Sequence, residues 1–105
     1  MIAKTPETPY YAVIFTTLRT DVDKGYLEMA EKMETLAKEQ PGYLGIESAR
    51  NDVGITVSYW RDLESIKTWK HQIDHAKARD LGRELWYAQY QLRICKVERD
   101  YGFNK

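Results

Sequence analysis

The chain has 105 residues, and its 16 Lys/Arg balance 16 Asp/Glu, which bounds it to one domain with a modest core (1–105) that burial against a partner would strengthen. With no cluster of basic residues it lacks the positive patch that a nucleic acid or an anionic membrane demands, so neither is an expected partner. No apolar run reaches the length of a membrane span and the start, MIAKTPETPY, has no signal-peptide core, so the expected location is cytoplasmic.

Up to Pro9 the chain holds two prolines and little apolar content, and reads as an extended lead-in. Tyr10 to Leu18, YYAVIFTTL, is aromatic and β-branched and predicts the first strand. Tyr11, Val13 and Phe15 lie on one of its faces, Ala12, Ile14 and Leu18 on the other. A strand apolar on both faces must be covered on both.

Thr20 to Asp23 offers caps for a helix running to about Lys38, with Tyr26, Met29, Ala30, Met33, Leu36 and Ala37 at inward spacing. Pro41-Gly42 stops it. Tyr43 to Arg50 predicts a second strand, with Leu44, Ile46 and Ser48 on one side and Tyr43, Gly45, Glu47 and Ala49 on the other. Asn51 to Gly54 suits a hairpin turn into the third strand, Gly54 to Trp60, where Ile55, Val57 and Tyr59 alternate with Thr56, Ser58 and Trp60.

Asp62 is placed to cap a second helix whose apolar stripe is Leu63, Ile66, the stem of Lys70 and Ile73, with Trp69 beside it. Helix continues from Gln72 to about Leu81, with a bend expected near His71 and a stop at Gly82. Trp86-Tyr87 leads into the last strand, Ala88 to Arg99, in which Tyr90, Leu92 and Ile94 alternate with Gln91, Arg93 and Cys95. Cys95 is alone, cannot form an intramolecular disulfide, and reads as a small core filler.

Strand, helix, strand, strand, helix, strand is the ferredoxin-like βαββαβ order, an α+β fold with an antiparallel sheet and both helices on one face. The second face is expected to carry Thr56, Ser58, Trp60 and one apolar set of the first strand. A ligand or a second copy must cover such a patch, and a homodimer built sheet to sheet is the expected assembly.

Trp69 and His75 share a helical segment, six residues and about 120° of azimuth apart on a straight helix, a gap that a bend near His71 would close. Tyr59, Trp60, Tyr87 and Tyr90 either wall an aromatic cavity or pack the core. Arg93, if buried by a partner, needs an anion, for which Glu47 or a substrate oxygen would serve. His71 and His75 stand at i, i+4, but no further ligand completes a metal site, so none is expected. No phosphate loop, nucleophile elbow or zinc signature is present.

The segments QPGYLGIES (Gln40 to Ser48), GITVSYW (Gly54 to Trp60), the Trp69…His75 helix and WY…RICKVERDY (Trp86 to Tyr101) resemble the antibiotic biosynthesis monooxygenase family over about Tyr10 to Tyr101. The resemblance implies a dimeric α+β barrel and a monooxygenase that oxidises a small aromatic phenol or quinol with O₂ and no cofactor. Trp69 then corresponds to a helix Trp lining the substrate cavity, and His75 stands where the polyketide-oxidising members carry a Tyr. On this reading Trp69 and His75 are catalytic, with Tyr59, Trp60, Tyr87, Tyr90 and Arg93 binding the substrate. The family's heme-degrading members give one alternative, although their site uses an Asn on the first strand and YYAVIFTTL has none. A non-catalytic small-molecule-binding dimer is the other.

Overall fold

A computed structural model describes residues 2–75 and 78–105, except the side chains of His75 and Ala78. Its elements are β1 (Tyr10–Arg19), α1 (Tyr26–Glu39), β2 (Tyr43–Arg50), β3 (Gly54–Trp60), α2 (Leu63–His75), α3 (Ala78–Leu81) and β4 (Tyr87–Val97), with a π-helical turn at Gly82–Trp86 before β4. The strands form one antiparallel sheet in the order β2-β3-β1-β4, with β1, the strand apolar on both sides, at its centre. This is the ferredoxin-like α+β arrangement that the order of elements predicts.

Register decides which side chains share a face. Tyr11 pairs with Trp60 and Val13 with Ser58, while Ala12 pairs with Tyr59 and Ile14 with Val57. Val13, Trp60, Ala37 of α1 and Ile66 of α2 form the core, with Tyr11, Tyr43 and Trp69 packed against it. The helices therefore cover the face of Trp60, and Ile55, Val57 and Tyr59 point to the uncovered one. This reverses the assignment that alternation suggested for β3. Polarity explains it: Trp60 is wholly buried, its indole N–H donating to Ser58 Oγ at 2.9 Å, so its burial leaves no orphan donor. Tyr59 instead turns its hydroxyl to Glu47 Oε1, at 2.6 Å, on the open face.

A β-bulge completes the helix side. Tyr43 pairs with Trp60 and Gly45 with Tyr59, so Leu44 is the extra residue in β2. Strict alternation would put Tyr43 with Gly45 and Glu47; the bulge turns its ring inward, edge-on to Trp60 with centroids 5.7 Å apart. Such a pair adds about 0.5–1.5 kcal/mol beyond the area it buries. Just before it, Gly42 has φ +88°, and a Cβ there would lie 2.1 Å from Ser65 Oγ. Glycine is thus required twice over, for its dihedral and for its contact with α2.

Asp62 caps α2 as expected, Oδ1 accepting the Ser65 N–H at 2.8 Å. The buried stripe of α2 is Ile66, Trp69 and Ile73, because Leu63 is 53% exposed and Lys70 faces water. Trp69 is thus in the stripe rather than beside it. The helix passes His71 without interruption. α1 starts only at Tyr26, after Gly25, and Ala30 faces water although its spacing suggested otherwise. The last α-helical residue is Leu81, as expected, and Gly82 opens the π-helical turn, where a Cβ would press to 2.9 Å on the Tyr87 ring. That turn buries Trp86, which donates its indole N–H to Lys24 O at 3.0 Å.

On the open face the N-terminal segment lies across β2. The Ala3 N–H donates to Glu47 Oε2 at 2.9 Å, and the Ala3 methyl sits over Gly45. Tyr10 is hydrogen-bonded to Asp100 beyond β4, and Thr5 Oγ1 lies 3.0 Å from the Tyr10 hydroxyl. Tyr10 and Ala12 are consequently buried on the side without helices.

Candidate active site

The helix face of the sheet carries two aromatic groups at opposite ends of β1. At the Tyr11 end, Trp69 of α2 stacks obliquely on Trp60, with centroids 5.0 Å apart and planes at 32°. Burial fixes Trp60, so it acts as a rigid backing plate for the half-buried Trp69. The Trp69 indole N–H is shut off from solvent and has no hydrogen-bond partner among the described residues. An unpaired buried donor costs about 1–3 kcal/mol, which an acceptor supplied by a ligand would offset. On the same face β4 leaves Leu92 44% and Ile94 51% exposed, although Ile94 pairs with buried Val13, so an apolar ledge stays open there.

At the Thr17 end, Phe15 packs on Tyr87 and Tyr90, with centroids at 5.5 and 5.4 Å, and Tyr26 packs on Trp86 and Tyr87. Burial, then the neighbouring Tyr26, push the Tyr87 phenol well above its ordinary pKa, only partly opposed by the guanidiniums of Arg50 and Arg19. Tyr87 therefore stays protonated across the neutral range and can donate but not act as a base.

The residues singled out from the sequence do not all converge. Trp60 and Trp69 meet, and Tyr87 and Tyr90 meet through Phe15, all on the helix face. Tyr59 and Arg93 belong to the opposite face, where Arg93 pairs with Ile14. Burial and the Glu47 hydrogen bond raise the Tyr59 phenol, while Tyr59 and the Ala3 N–H lower the Glu47 carboxyl. The two shifts agree: Glu47 is an engaged carboxylate, serving Tyr59 and the N-terminal segment rather than Arg93. Cys95 is exposed beside them, which corrects its reading as a core filler. The side chain of His75 lies outside the described residues. Among those residues no group of three His, Cys, Asp or Glu is close enough to hold a metal.

Arg19 and Arg50 are the residues that alternation does not reveal. Both line an open cleft of about 530 Å³ beside the start of α1, together with Asp23, Gly25, Tyr26, Leu27 and Glu28. Arg50 ends β2 and folds back over the paired Gly54, donating to the buried hydroxyl of Thr17. A Cβ at Gly54 would meet the guanidinium at 2.0 Å, so that glycine, read as a turn residue, also makes room for the arginine. Arg facing Gly across a hairpin is the signal that was there to be found.

No family model matches the chain. It is 47% identical over 106 residues to the uncharacterized protein YqjZ of Bacillus subtilis, covering 99% of this chain and 93% of that protein. Among solved structures it superposes on SnoaB of Streptomyces nogalater, a cofactor-independent oxygenase, with a TM-score of 0.73 at 9% identity, over 89% of this chain and 97% of SnoaB. A Nitrosomonas europaea protein provisionally classed as an antibiotic biosynthesis monooxygenase superposes with a TM-score of 0.68 at 12% identity, over 91% of this chain and 94% of that one. One of the same provisional class from Chloroflexus aurantiacus gives 0.59 at 19% identity, over 90% and 97%. At these identities the likeness is one of fold, and the fold is that of the antibiotic biosynthesis monooxygenases.

Proposed function

We propose that this chain, which belongs to the family of YqjZ, is a monooxygenase that oxidises a small aromatic phenol or quinol with O₂ and no cofactor. The observation that carries this reading is the buried, unpartnered N–H of Trp69 held against the rigid face of Trp60. An aromatic substrate that displaces the packing over the half-buried Trp69 would bring an oxygen to that donor, which binds an oxyanion more strongly than a neutral hydroxyl.

The chemistry needs an acidic substrate C–H or O–H, a base and a site poor in water. His75 at the end of α2 is the proposed base, since imidazole titrates near neutrality. The substrate anion delivers electrons to O₂ and a C–O bond forms. One oxygen atom stays on carbon as a carbonyl, and the other leaves as water with two hydrogens from the substrate, one from that carbon and one from the phenolic hydroxyl, or both from that carbon where the substrate reacts as its methylene keto tautomer. Trp69 stabilises the anion by its N–H and excludes water by its ring. Tyr87 and Tyr90 at the far end of the face are then packing residues. The heme-degrading alternative calls for an Asn on the first strand, whereas β1 presents Tyr11, Val13, Phe15 and Thr17 to the helices.

A homodimer through the open face is part of the same reading. Ile55 and Leu18 are 44% and 39% exposed there, beside half-buried Ile14 and Val57. A second copy of the same face would cover this apolar strip, Cys95 included.

Oxygen uptake with a panel of anthrone-like phenols and quinols tests the activity. His75→Ala is expected to lower turnover by about 10²-fold. Trp69→Phe keeps a ring but removes the donor, and is expected to cost about tenfold or more in turnover while the fold is retained. If no panel member is consumed faster than in buffer, the reading fails in favour of a binding protein. If Trp69→Phe matches the wild type, the N–H has no part in the reaction.

A further inference from the structure

The Arg50 cleft lies apart from the Trp60–Trp69 pair. Tyr11, which pairs with Trp60, and Thr17, which accepts from Arg50, are six residues apart on β1, or about 20 Å of strand. Whatever the cleft binds, it is not the molecule that Trp69 would touch.

The two arginines are in different states. Arg19 is held by an ion pair, donating to Asp23 Oδ1 and Val22 O at 2.9 Å and to Trp86 O at 3.3 Å, with its guanidinium carbon 3.4 Å from the centroid of Tyr26. Arg50 donates to Thr17 and has no carboxylate partner among the described residues. A guanidinium has five N–H donors in a planar fork, so most of Arg50 is left to bind something else. Thr17 is 3% exposed and pins the fork from beneath. Beside it Tyr26 and Leu27 line the cleft, and Leu27 is 73% exposed although it lies on a helix. Glu28 brings negative charge to its rim, whereas the charge of Asp23 is paired with Arg19.

We infer that this cleft is a second binding site, which takes a small aromatic or acyl monocarboxylate with its carboxylate on the fork of Arg50 and its apolar body against Tyr26 and Leu27. A cleft of about 530 Å³ is of the size that holds a small organic ligand, typically about 300–1,000 Å³. Carboxylate matches a single fork by two parallel hydrogen bonds. A multiply charged phosphate would gain from the Arg50 cation but be repelled more strongly than a monoanion by the carboxylate of Glu28, so the site selects a monoanion with an apolar body.

The test is titration of the ¹⁵N-labelled protein with benzoate, with inorganic phosphate and acetate as comparison probes. Benzoate at millimolar concentration is expected to shift the amides of Gly25 to Glu28 and Arg50. Acetate, lacking the ring, should bind more weakly at the same residues. Arg50→Gln, a change at an exposed position, should weaken benzoate at least tenfold, and Arg50→Lys should fall between because it keeps the charge without the fork. Benzoate shifts confined to α2, equal affinity in Arg50→Gln, or the absence of shifts would each overturn the site. Phosphate binding as tightly as benzoate would overturn the assignment to a monocarboxylate.

Discussion

The two faces of the sheet are built from one set of strands but closed by different means. The helix face is sealed by bulk: Val13, Trp60, Ala37 and Ile66 interlock, and the Trp60 N–H at its centre is answered two residues away by Ser58, while the buried Trp69 N–H is without a partner among the described residues. The open face is sealed only at one end, and by polar ties. Glu47 accepts from Tyr59 and Ala3, while Tyr10 and Thr5 reach Asp100. The rest of it, around Ile55, Val57 and Leu18, is left to water or to another molecule. Packing of the first kind is insensitive to pH and unforgiving of volume change, whereas ties of the second kind tolerate truncation and respond to acid.

Substitution at Trp60 puts the sharpest strain on that contrast. Trp60→Ala empties a fully buried site and is expected to cost about 3–5 kcal/mol in urea unfolding, whereas Tyr59→Phe, one residue earlier and on the other face, should cost about 1 kcal/mol. Equal losses would contradict the division of β3 between the two faces. Next in size is the exposed half of the open face. Val57→Asp should leave the helix-side core folded but raise the dimer dissociation constant by about a hundredfold or more, read by sedimentation velocity. A wild type that sediments as a 12.4 kDa monomer at micromolar concentration would remove the dimer from the proposal.

The smallest effect is the acid response of the tied end. Glu47 is held below its ordinary value of 4.5, first by the Tyr59 hydroxyl and then by the Ala3 amide. Its contribution to stability is therefore complete above that value and is lost as pH falls through the lowered one. Glu47→Gln should flatten the acid side of the stability profile below the ordinary value of 4.5 while changing little at neutral pH, measured by urea midpoints on both sides of that value. An unchanged acid limb would mean that the tie to the N-terminal segment contributes nothing to stability.

How much of this was legible in the sequence depends on the range of the interaction. Element order, the Asp62 cap, the Asn51–Gly54 hairpin and the two-sided character of β1 all follow from local periodicity, and the structure has them. Face assignment was not legible, because it rests on parity between strands. Alternation groups Ile55 with Val57 and Tyr59 but says nothing of which group meets the helices. The single extra residue at Leu44 then resets the count for Tyr43. The site was legible only in part for the same reason. Trp69 and Trp60 met as a pair, but Tyr59 and Arg93 fell on the far side of the sheet, and Arg50 shows its role only through Gly54 and Thr17 brought up from elsewhere in the chain.

The ties on the open face also make the chain nearly a ring. Thr5 Oγ1 lies 3.4 Å from Asp100 Oδ2, so residues 95 positions apart in sequence stand side by side in space. Such a fold has no privileged breakpoint: joined across Thr5 and Asp100 by a short linker and cut in the exposed Asn51–Val53 turn, it would keep every strand pairing but give up the covalent turn between β2 and β3. Since that antiparallel pair is the edge of the sheet away from β4, its side chains, rather than its turn, would then have to hold it in register.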